Sequence, residues 1–323
     1  MPARPVRAVD VPALVQSARD GSPRAVARLI SLVEDEHPAL REVMAALAPH
    51  AGHAHVVGIT GSPGVGKSTS TNALVAAYRK RGQRIGILAV DPSSPFSGGA
   101  LLGDRVRMQD HALDPEVYIR SMASRGHLGG LSWSTPQALR VLDAAGCDVV
   151  LVETVGVGQS EVEVAGLADT TVVLLAPGMG DGIQAAKAGI LEIGDVFVVN
   201  KADREGADAT VRDLRHMISL GDRKEPGLWR PPVVKTVASR NEGVEEVLEA
   251  IDKHTDWLAR TEHLRERRVA RAGDEIEAIV VAALRRRMES LQHHDSVDRL
   301  AADVVDGRSD PYAAADQVLE ALT

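Results

Sequence analysis

A glycine-rich segment near the first quarter of the sequence carries residue types suited to phosphate binding. It reads GITGSPGVGKST and fits the spacing G-x-x-x-x-G-K-[ST]. The glycines let backbone N–H groups curl around a phosphate, Lys67 would neutralise the outer phosphates, and the Ser68 hydroxyl would ligate magnesium. We therefore predict a nucleotide phosphate site formed by Gly61, Ser62, Pro63, Gly64, Val65, Gly66, Lys67, Ser68 and Thr69.

The segment NKAD indicates which base the nucleotide carries. It fits the N-K-x-D pattern of guanine nucleotide proteins, in which Asp203 would accept from both N1–H and the exocyclic amine of guanine. Asn200 would brace neighbouring loops, and the stem of Lys201 would lie along the base plane. Further along, TVASRNEG predicts a base-binding loop at Val237, Ala238 and Ser239, in which the backbone N–H groups of Ala238 and Ser239 meet the guanine carbonyl oxygen.

Three carboxylates fall where a magnesium site is expected. Glu153 ends the apolar run in LVETVGVGQSE, where a bound cation would offset the cost of burying its charge. Gly156 follows and would sense the terminal phosphate through its N–H. Asp91 and Asp104 lie in AVDPSSPFSGGALLGDRVRM and are further candidate ligands, direct or indirect. The alternatives are a capping or solvated Glu153 and ordinary turn aspartates.

The elements that position these residues alternate between strands and helices. Ser22-Pro23 and His37-Pro38 signal helix starts within residues 10–48. Strands are predicted in HAHVVGITG, residues 53–61, and near 84–90, 118–122, 148–153, 171–176, 195–200 and 233–237. Helices are predicted near 67–81, 105–111, 135–145, 182–192, 207–220 and from 244. This pattern predicts an α/β fold with a mostly parallel central sheet flanked by helices, whose ligands lie at the carboxyl ends of the strands.

Beyond about residue 262 the strand pattern stops. LRERRVARAGDEIEAIVVAALRRRMESL predicts a long helix with one apolar face, formed by Ile276, Ile279, Val280, Ala283, Leu284 and Met288. Pro311 opens a last short helix.

Composition excludes several classes of protein. The chain has 323 residues, enough for one large domain with extensions or for two domains. Its net charge of -8 and the lack of a basic stripe argue against nucleic acid as a partner. No apolar run approaches the ~20 residues that span a bilayer, so we expect no membrane insertion. The single cysteine, Cys147, cannot form an intramolecular disulfide, and we expect a cytoplasmic protein.

Five segments in order resemble the MeaB/ArgK-type GTPases of the SIMIBI class, which include the methylmalonic aciduria type A protein. They are GSPGVGKST, AVDPSSPFSGGALLGDRVRM, ETVGVGQSEVEVAGLADT, LLAPGMGDGIQAAKAGI and NKAD. The resemblance runs from the N-terminal helices to the last helix. It implies an N-terminal helical extension over 1–50, a P-loop GTPase domain over 51–262 and a C-terminal dimerisation arm over 263–323.

The same resemblance implies a function and moving parts. It implies a homodimeric, magnesium-dependent GTPase that chaperones adenosylcobalamin-dependent methylmalonyl-CoA mutase, gating cofactor delivery and protecting the mutase from inactivation. It also implies three switch segments, at 97–110, 153–161 and 177–188. The last could instead be a plain strand-to-helix connection, although Gln184 and Lys187 in it suggest a sensor of the partner.

The reaction we expect is in-line attack of water on the terminal phosphate of GTP, with Lys67 and magnesium stabilising the developing charge. No glutamine stands obviously where it would orient the water, although Gln159 is a candidate, so we expect slow intrinsic hydrolysis that the mutase accelerates. One alternative is a kinase that passes phosphate to arginine or to a transport protein.

A nickel-insertion GTPase is the other alternative. It would need metal ligands, for which Cys147, His50, His53 and His55 are the candidates. We expect instead that Cys147 is a small buried hydrophobe and that the histidines belong to a solvated linker.

Overall fold

The computed structural model describes residues 9–92, 109–111, 113–124, 134–154, 160–178, 189, 191–220, 227–291 and 295–320. The chain divides into two compact units, Met1–Arg267 and Arg268–Thr323. The first contains the sheet and the second is helical.

From residue 9 onwards, the described part of the chain begins with three helices, α1 Val11–Arg19, α2 Pro23–Glu34 and α3 Leu40–Leu47. The Ser22 hydroxyl accepts a 3.4 Å hydrogen bond from the Ala25 N–H and Pro23 takes the first helical position, so this helix begins where the sequence predicts. The helix that His37-Pro38 predicts begins two residues later than expected, because α3 starts at Leu40.

A seven-stranded sheet forms the centre of the first unit. Within the described residues its strands are β1 His55–Thr60, β2 Ile85–Pro92, β3 Val117–Ser124, β4 Val149–Thr154, β5 Thr170–Leu175, β6 Val196–Val199 and β7 Val233–Lys235. They are all parallel and lie in the order β3-β2-β4-β1-β5-β6-β7. The predicted parallel α/β architecture is confirmed.

Helices connect and flank the strands. They are α4 Lys67–Lys80, α5 Thr135–Ala144, α6 Ser160–Leu167, the single turn α7 Leu191–Ile193, α8 Ala207–Leu220 and α9 Val244–Arg260. The helix predicted at 105–111 is a 3₁₀ turn, Gln109–His111, in its described part. The strand predicted to reach 237 ends at Lys235, because Val237 turns back to form an antiparallel bridge with Glu242.

Alternate residues of each strand supply two different cores. Val57 and Ile59 face α4 and α9, whereas Val56 faces the side covered by α5 and the N-terminal helices. Both faces of the central strands are therefore buried, as expected for a parallel sheet. The N-terminal helices share their core with the sheet, because Leu29 and Val152 belong to one cluster.

The second unit consists of helices. The division falls within α10 His263–Leu291, and α11 Asp295–Val305 and α12 Pro311–Glu320 follow. Asp310 caps the last helix, which confirms the predicted start at Pro311. On α10 the predicted apolar face is exposed at Ile276, 63%, and Val280, 50%, and also at Ile279 and Leu284, while the side chain of Met288 lies outside the described part. In the described part of the chain, no helix is both long and apolar enough to cross a membrane.

Candidate functional site

The segment between β1 and α4 contains two glycines at which both the backbone conformation and the close neighbours disfavour a side chain. Gly61 has φ +140° and a Cβ there would lie 2.3 Å from the Leu174 carbonyl oxygen. Gly66 has φ +98° and a Cβ there would lie 2.5 Å from the side-chain nitrogen of Asn200. Side chains at these positions would collide with β5 and with the NKAD loop, so the glycines allow three segments to meet.

Lys67 folds back over this phosphate-loop segment. Its Nζ donates to the carbonyl oxygens of Gly61 at 2.6 Å and Ser62 at 3.2 Å, and the side chain is buried. The ammonium group therefore lies against the loop that would hold the phosphates. Of the other predicted residues, Pro63, Gly64 and Thr69 are exposed and Val65 is buried.

Ser68 and Glu153 come together at the start of α4. The Ser68 hydroxyl donates a 2.7 Å hydrogen bond to Oε1 of Glu153, and both side chains are buried. The register explains the contact, because Glu153 pairs with Ile59 near the end of β1, just before the loop. A hydroxyl and a carboxylate are hard oxygen donors of the kind that Mg²⁺ prefers, so this pair fits a magnesium site.

Other predicted members of the magnesium site are only partly described. Asp91 lies in β2, one residue beyond Val90, which pairs with Thr154 of β4, so its backbone is at the same sheet edge as Glu153. Asp104, Gly156 and Gln159 lie outside the described residues. Most of the three predicted switch segments also lies outside them, including Gln184 and Lys187. No cluster of three or more histidine, cysteine, aspartate or glutamate side chains suited to a metal occurs in the described ranges.

Asn200 joins the phosphate loop to the predicted base loop. Its Nδ2 donates to the Val65 carbonyl at 2.9 Å, and its Oδ1 accepts from the Thr236 hydroxyl and the Ala238 N–H, both at 3.1 Å. The bracing role predicted for Asn200 has a direct geometric basis in these contacts. The sequence did not predict this role for Thr236, because a hydroxyl residue just after a strand is too common to indicate a function.

The remaining base-loop residues surround this amide. Lys201 has φ +56°, and its Nζ donates to the Gly64 carbonyl at 2.5 Å, which lays the side chain across the phosphate loop. Asp203 is partly exposed beside it. The Ala238 N–H is directed to Asn200 in this structure, so of the two predicted amide donors Ser239 is the remaining candidate for guanine. Val237 is buried and has no polar side-chain group.

The candidate ligands of the nickel-insertion alternative lie outside the phosphate and base loops. Cys147 is buried, and burial raises the pKa of its thiol to about 12, so it stays protonated as a small core residue. His55 does not belong to a solvated linker, which corrects that expectation. It begins β1, and its Nε2 lies 2.9 Å from the Thr170 hydroxyl and 3.2 Å from the Thr255 hydroxyl.

Comparison with known proteins agrees with this geometry. The family model described as methylmalonyl-CoA mutase-associated GTPase MeaB matches residues 26–293. A protein of Pyrococcus abyssi is 48% identical over 310 residues, which cover 96% of each chain. The mitochondrial methylmalonic aciduria type A homolog of Caenorhabditis elegans is 36% identical, covering 80% of this chain and 69% of its own.

A solved structure shows the same fold. The crystal structure of an LAO/AO transport system kinase superposes with a TM-score of 0.73 at 27% identity, covering 98% of this chain and 99% of its own. The segments that carry the phosphate loop, Glu153 and the NKAD loop all fall within the matched range. The chain therefore belongs to the MeaB family of methylmalonyl-CoA mutase-associated GTPases.

Proposed function

We propose that this protein binds GTP with Mg²⁺ and hydrolyses it to GDP and phosphate. The observation that carries the proposal is the 2.7 Å hydrogen bond between Ser68 and Glu153, beside Lys67. It brings a hydroxyl, a buried carboxylate and an ammonium group to the rim of one glycine-rich loop. Few ligands other than a magnesium-bound polyphosphate would use all three groups.

Each group has a part in the proposed reaction. The loop amides and the N-terminus of α4 would hold the phosphates, and Lys67 would leave the carbonyl of Gly61 to bind the outer oxygens. Ser68 and Glu153 would hold Mg²⁺, with Asp91 and Asp104 as further candidates; when bound, the cation stabilises negative charge on the phosphate oxygens. Gly156 and Gln159 are proposed to contact the terminal phosphate and the attacking water.

Guanine selection would come from the NKAD loop. Asp203 would accept from N1–H and the exocyclic amine, and the Ser239 N–H would donate to the carbonyl oxygen. Asn200 holds this loop against the phosphate loop through Val65, so base and phosphates would be bound in a fixed relation. Adenine lacks the N1–H and exocyclic amine donors that Asp203 would bind, so ATP would leave the carboxylate without partners and would bind less well than GTP.

We further propose that the GTP cycle serves adenosylcobalamin-dependent methylmalonyl-CoA mutase, by gating cofactor loading and by protecting the enzyme. The family description supports this partner. The exposed apolar residues Ile276 and Val280 support a homodimer formed through the C-terminal helices. A cytoplasmic location is part of the same proposal.

The hydrolysis proposal is tested by phosphate release from γ-labelled GTP with and without Mg²⁺. Glu153→Gln keeps the size of the side chain and removes its charge, so it should lower the rate about 100-fold and weaken Mg²⁺ dependence. Glu249→Gln is the matched control, because Glu249 is exposed on α9 and, within the described part of the chain, its ion pair is with Lys253 at 3.6 Å. Label on an acceptor molecule, in place of free phosphate, would indicate a phosphotransferase.

The partner proposal needs a separate measurement. Purified adenosylcobalamin-dependent methylmalonyl-CoA mutase, added at equimolar concentration, should accelerate GTP hydrolysis by the wild-type chain. Bovine serum albumin at the same concentration controls for crowding. An unchanged rate, together with no complex in gel filtration in the presence of a non-hydrolysable GTP analogue, would contradict the proposed partner.

A further inference from the structure

Arg240 links the residue that is proposed to recognise guanine to a second acidic residue. It ends the 3₁₀ turn Ala238–Arg240, and its Nη1 lies 3.8 Å from Oδ2 of Asp203. On its other side the guanidinium binds Glu242 through two nitrogens, with Nε 2.8 Å from Oε1 and Nη2 3.3 Å from Oε2. Among the described residues, Arg240 is the cation within 4 Å of the Asp203 carboxylate.

The loop that carries Arg240 has a tightly defined backbone. Val237 and Glu242 exchange two backbone hydrogen bonds, of 3.0 and 3.3 Å, which close a short antiparallel bridge around the turn. Asn241 has φ +57°, and Gly243 has φ +75° with no room for a Cβ, since the Lys235 carbonyl oxygen would lie 2.1 Å away. The positions of Arg240 and Glu242 on this loop are therefore fixed by the backbone.

We propose that Arg240, held by Glu242, positions the Asp203 carboxylate for guanine and so contributes to base selectivity. The inference rests on the proposed GTP site. A carboxylate that accepts from N1–H and the exocyclic amine must keep both oxygens in the plane of the base, yet the Asp203 side chain is 43% exposed. A two-nitrogen contact fixes the plane of the guanidinium. Its remaining nitrogen then lies at ion-pair distance, 3.8 Å, from one oxygen of the Asp203 carboxylate and would restrain that oxygen once a base covers the pair.

The effect belongs to binding more than to folding. Both Arg240 and Asp203 are about half exposed, and exposed ion pairs add little to stability. A bound base would cover the carboxylate and thereby strengthen its interaction with the guanidinium. Arg240→Gln should therefore weaken GDP binding by about 3- to 10-fold and leave the thermal unfolding midpoint unchanged.

The test compares three diphosphates, GDP, IDP and XDP, by isothermal titration calorimetry on the full chain with Mg²⁺. IDP lacks the exocyclic amine, so the preference for GDP over IDP reports how well Asp203 is oriented. This preference should shrink in Arg240→Gln and in Glu242→Gln, and Arg240→Lys should restore it only in part. Arg204→Gln removes an exposed charge beside Asp203 and should leave the preference unchanged.

A double variant separates positioning from general charge attraction. In an Asp203→Asn background, Arg240→Gln should cause no further loss of XDP affinity, because the carboxylate on which it acts is gone. An equal loss for GDP and IDP that persists in this background would overturn the inference. If Asp203→Asn itself fails to shift preference toward XDP, the proposed guanine site fails; if it shifts and Arg240→Gln is silent, only the role of Arg240 fails.

Discussion

The side-chain nitrogen of Asn200 donates a 2.9 Å hydrogen bond to the Val65 carbonyl, and this contact joins two loops that lie 135 residues apart in sequence. The same amide accepts from Thr236 and Ala238, so it holds the phosphate loop and the base loop together. Loops already joined in this way lose less freedom when a nucleotide binds, which favours affinity.

We expect Asn200→Ala to weaken GDP binding by more than about 10-fold, since three buried hydrogen bonds are lost and their partners remain buried. The free energy of unfolding should fall by about 2 to 4 kcal/mol, measured by urea denaturation. Thr236→Val removes one of these bonds and serves as the graded control, with a loss of about 1 kcal/mol. Equal stability of the two variants would contradict the bridging role.

Two glycines of the phosphate loop should differ in their tolerance of alanine. Gly66→Ala places a methyl group 2.5 Å from Asn200 Nδ2 at φ +98°, whereas a Cβ at Gly64 has nothing within 4 Å at φ +82°. Gly64→Ala should therefore cost about 1 to 2 kcal/mol of backbone strain, and Gly66→Ala clearly more, because it also separates the two loops. Thermal unfolding of the nucleotide-free protein gives the comparison, and the reverse order would be inconsistent with this geometry.

His254 lies at the end of the sheet opposite the candidate site, and it makes the free energy of unfolding depend on pH. It is buried, with Nδ1 2.8 Å from the Thr170 hydroxyl and Nε2 3.3 Å from Asp195, which also binds Arg267. Burial lowers the pKa of His254 to about 4; Arg267 and His55 add to the lowering, while Asp195 and Asp169 oppose it.

The sign of the pH effect follows from this lowered pKa. The unfolded chain takes up a proton at His254 near pH 6.5 and the folded chain only near pH 4, so stability should be unaffected above pH 6.5 and fall between pH 6.5 and 4. The full loss is about 3 kcal/mol. Urea denaturation across this range should show it in the wild type and in His216→Gln, an exposed control, and not in His254→Gln. An acid loss that persists undiminished in His254→Gln would assign it to other groups.

Ser70 offers a stabilising substitution. Its buried hydroxyl has no hydrogen-bond partner among the residues that the structure describes, and it lines a cavity of about 10 Å³ together with Leu74, Val172 and Leu174. Ser70→Ala should raise the free energy of unfolding by about 1 kcal/mol, because an unsatisfied buried polar group is removed. The neighbouring Thr71 hydroxyl donates to the Lys67 carbonyl at 3.0 Å, so Thr71→Val should give no gain. Destabilisation by Ser70→Ala would instead indicate a buried water bound there.

The sequence predicted best those features that depend on local spacing. Local spacing predicts the phosphate loop, the position of Glu153 and the NKAD loop, because in each case a strand, a glycine and a charged residue follow one another within a few residues. Contacts between distant segments cannot be predicted from local spacing. His55 was wrongly predicted to lie in a linker, because its partners, Thr170 and Thr255, lie 115 and 200 residues away in sequence. The approach of Arg240 to Asp203 likewise depends on how two loops fold together.

The tryptophans have a spectroscopic consequence. Trp229 and Trp257 lie with ring centroids 5.9 Å apart, and the His254 ring is 4.8 and 5.7 Å from them, while Trp133 lies outside the described residues. In a chain with 3 Trp and 3 Tyr, this pair is a natural optical reporter beside the amino-terminal ends of β5 and β6. Its emission should respond when the neighbouring imidazole gains charge, so acid-induced loosening of that edge becomes visible without any attached dye.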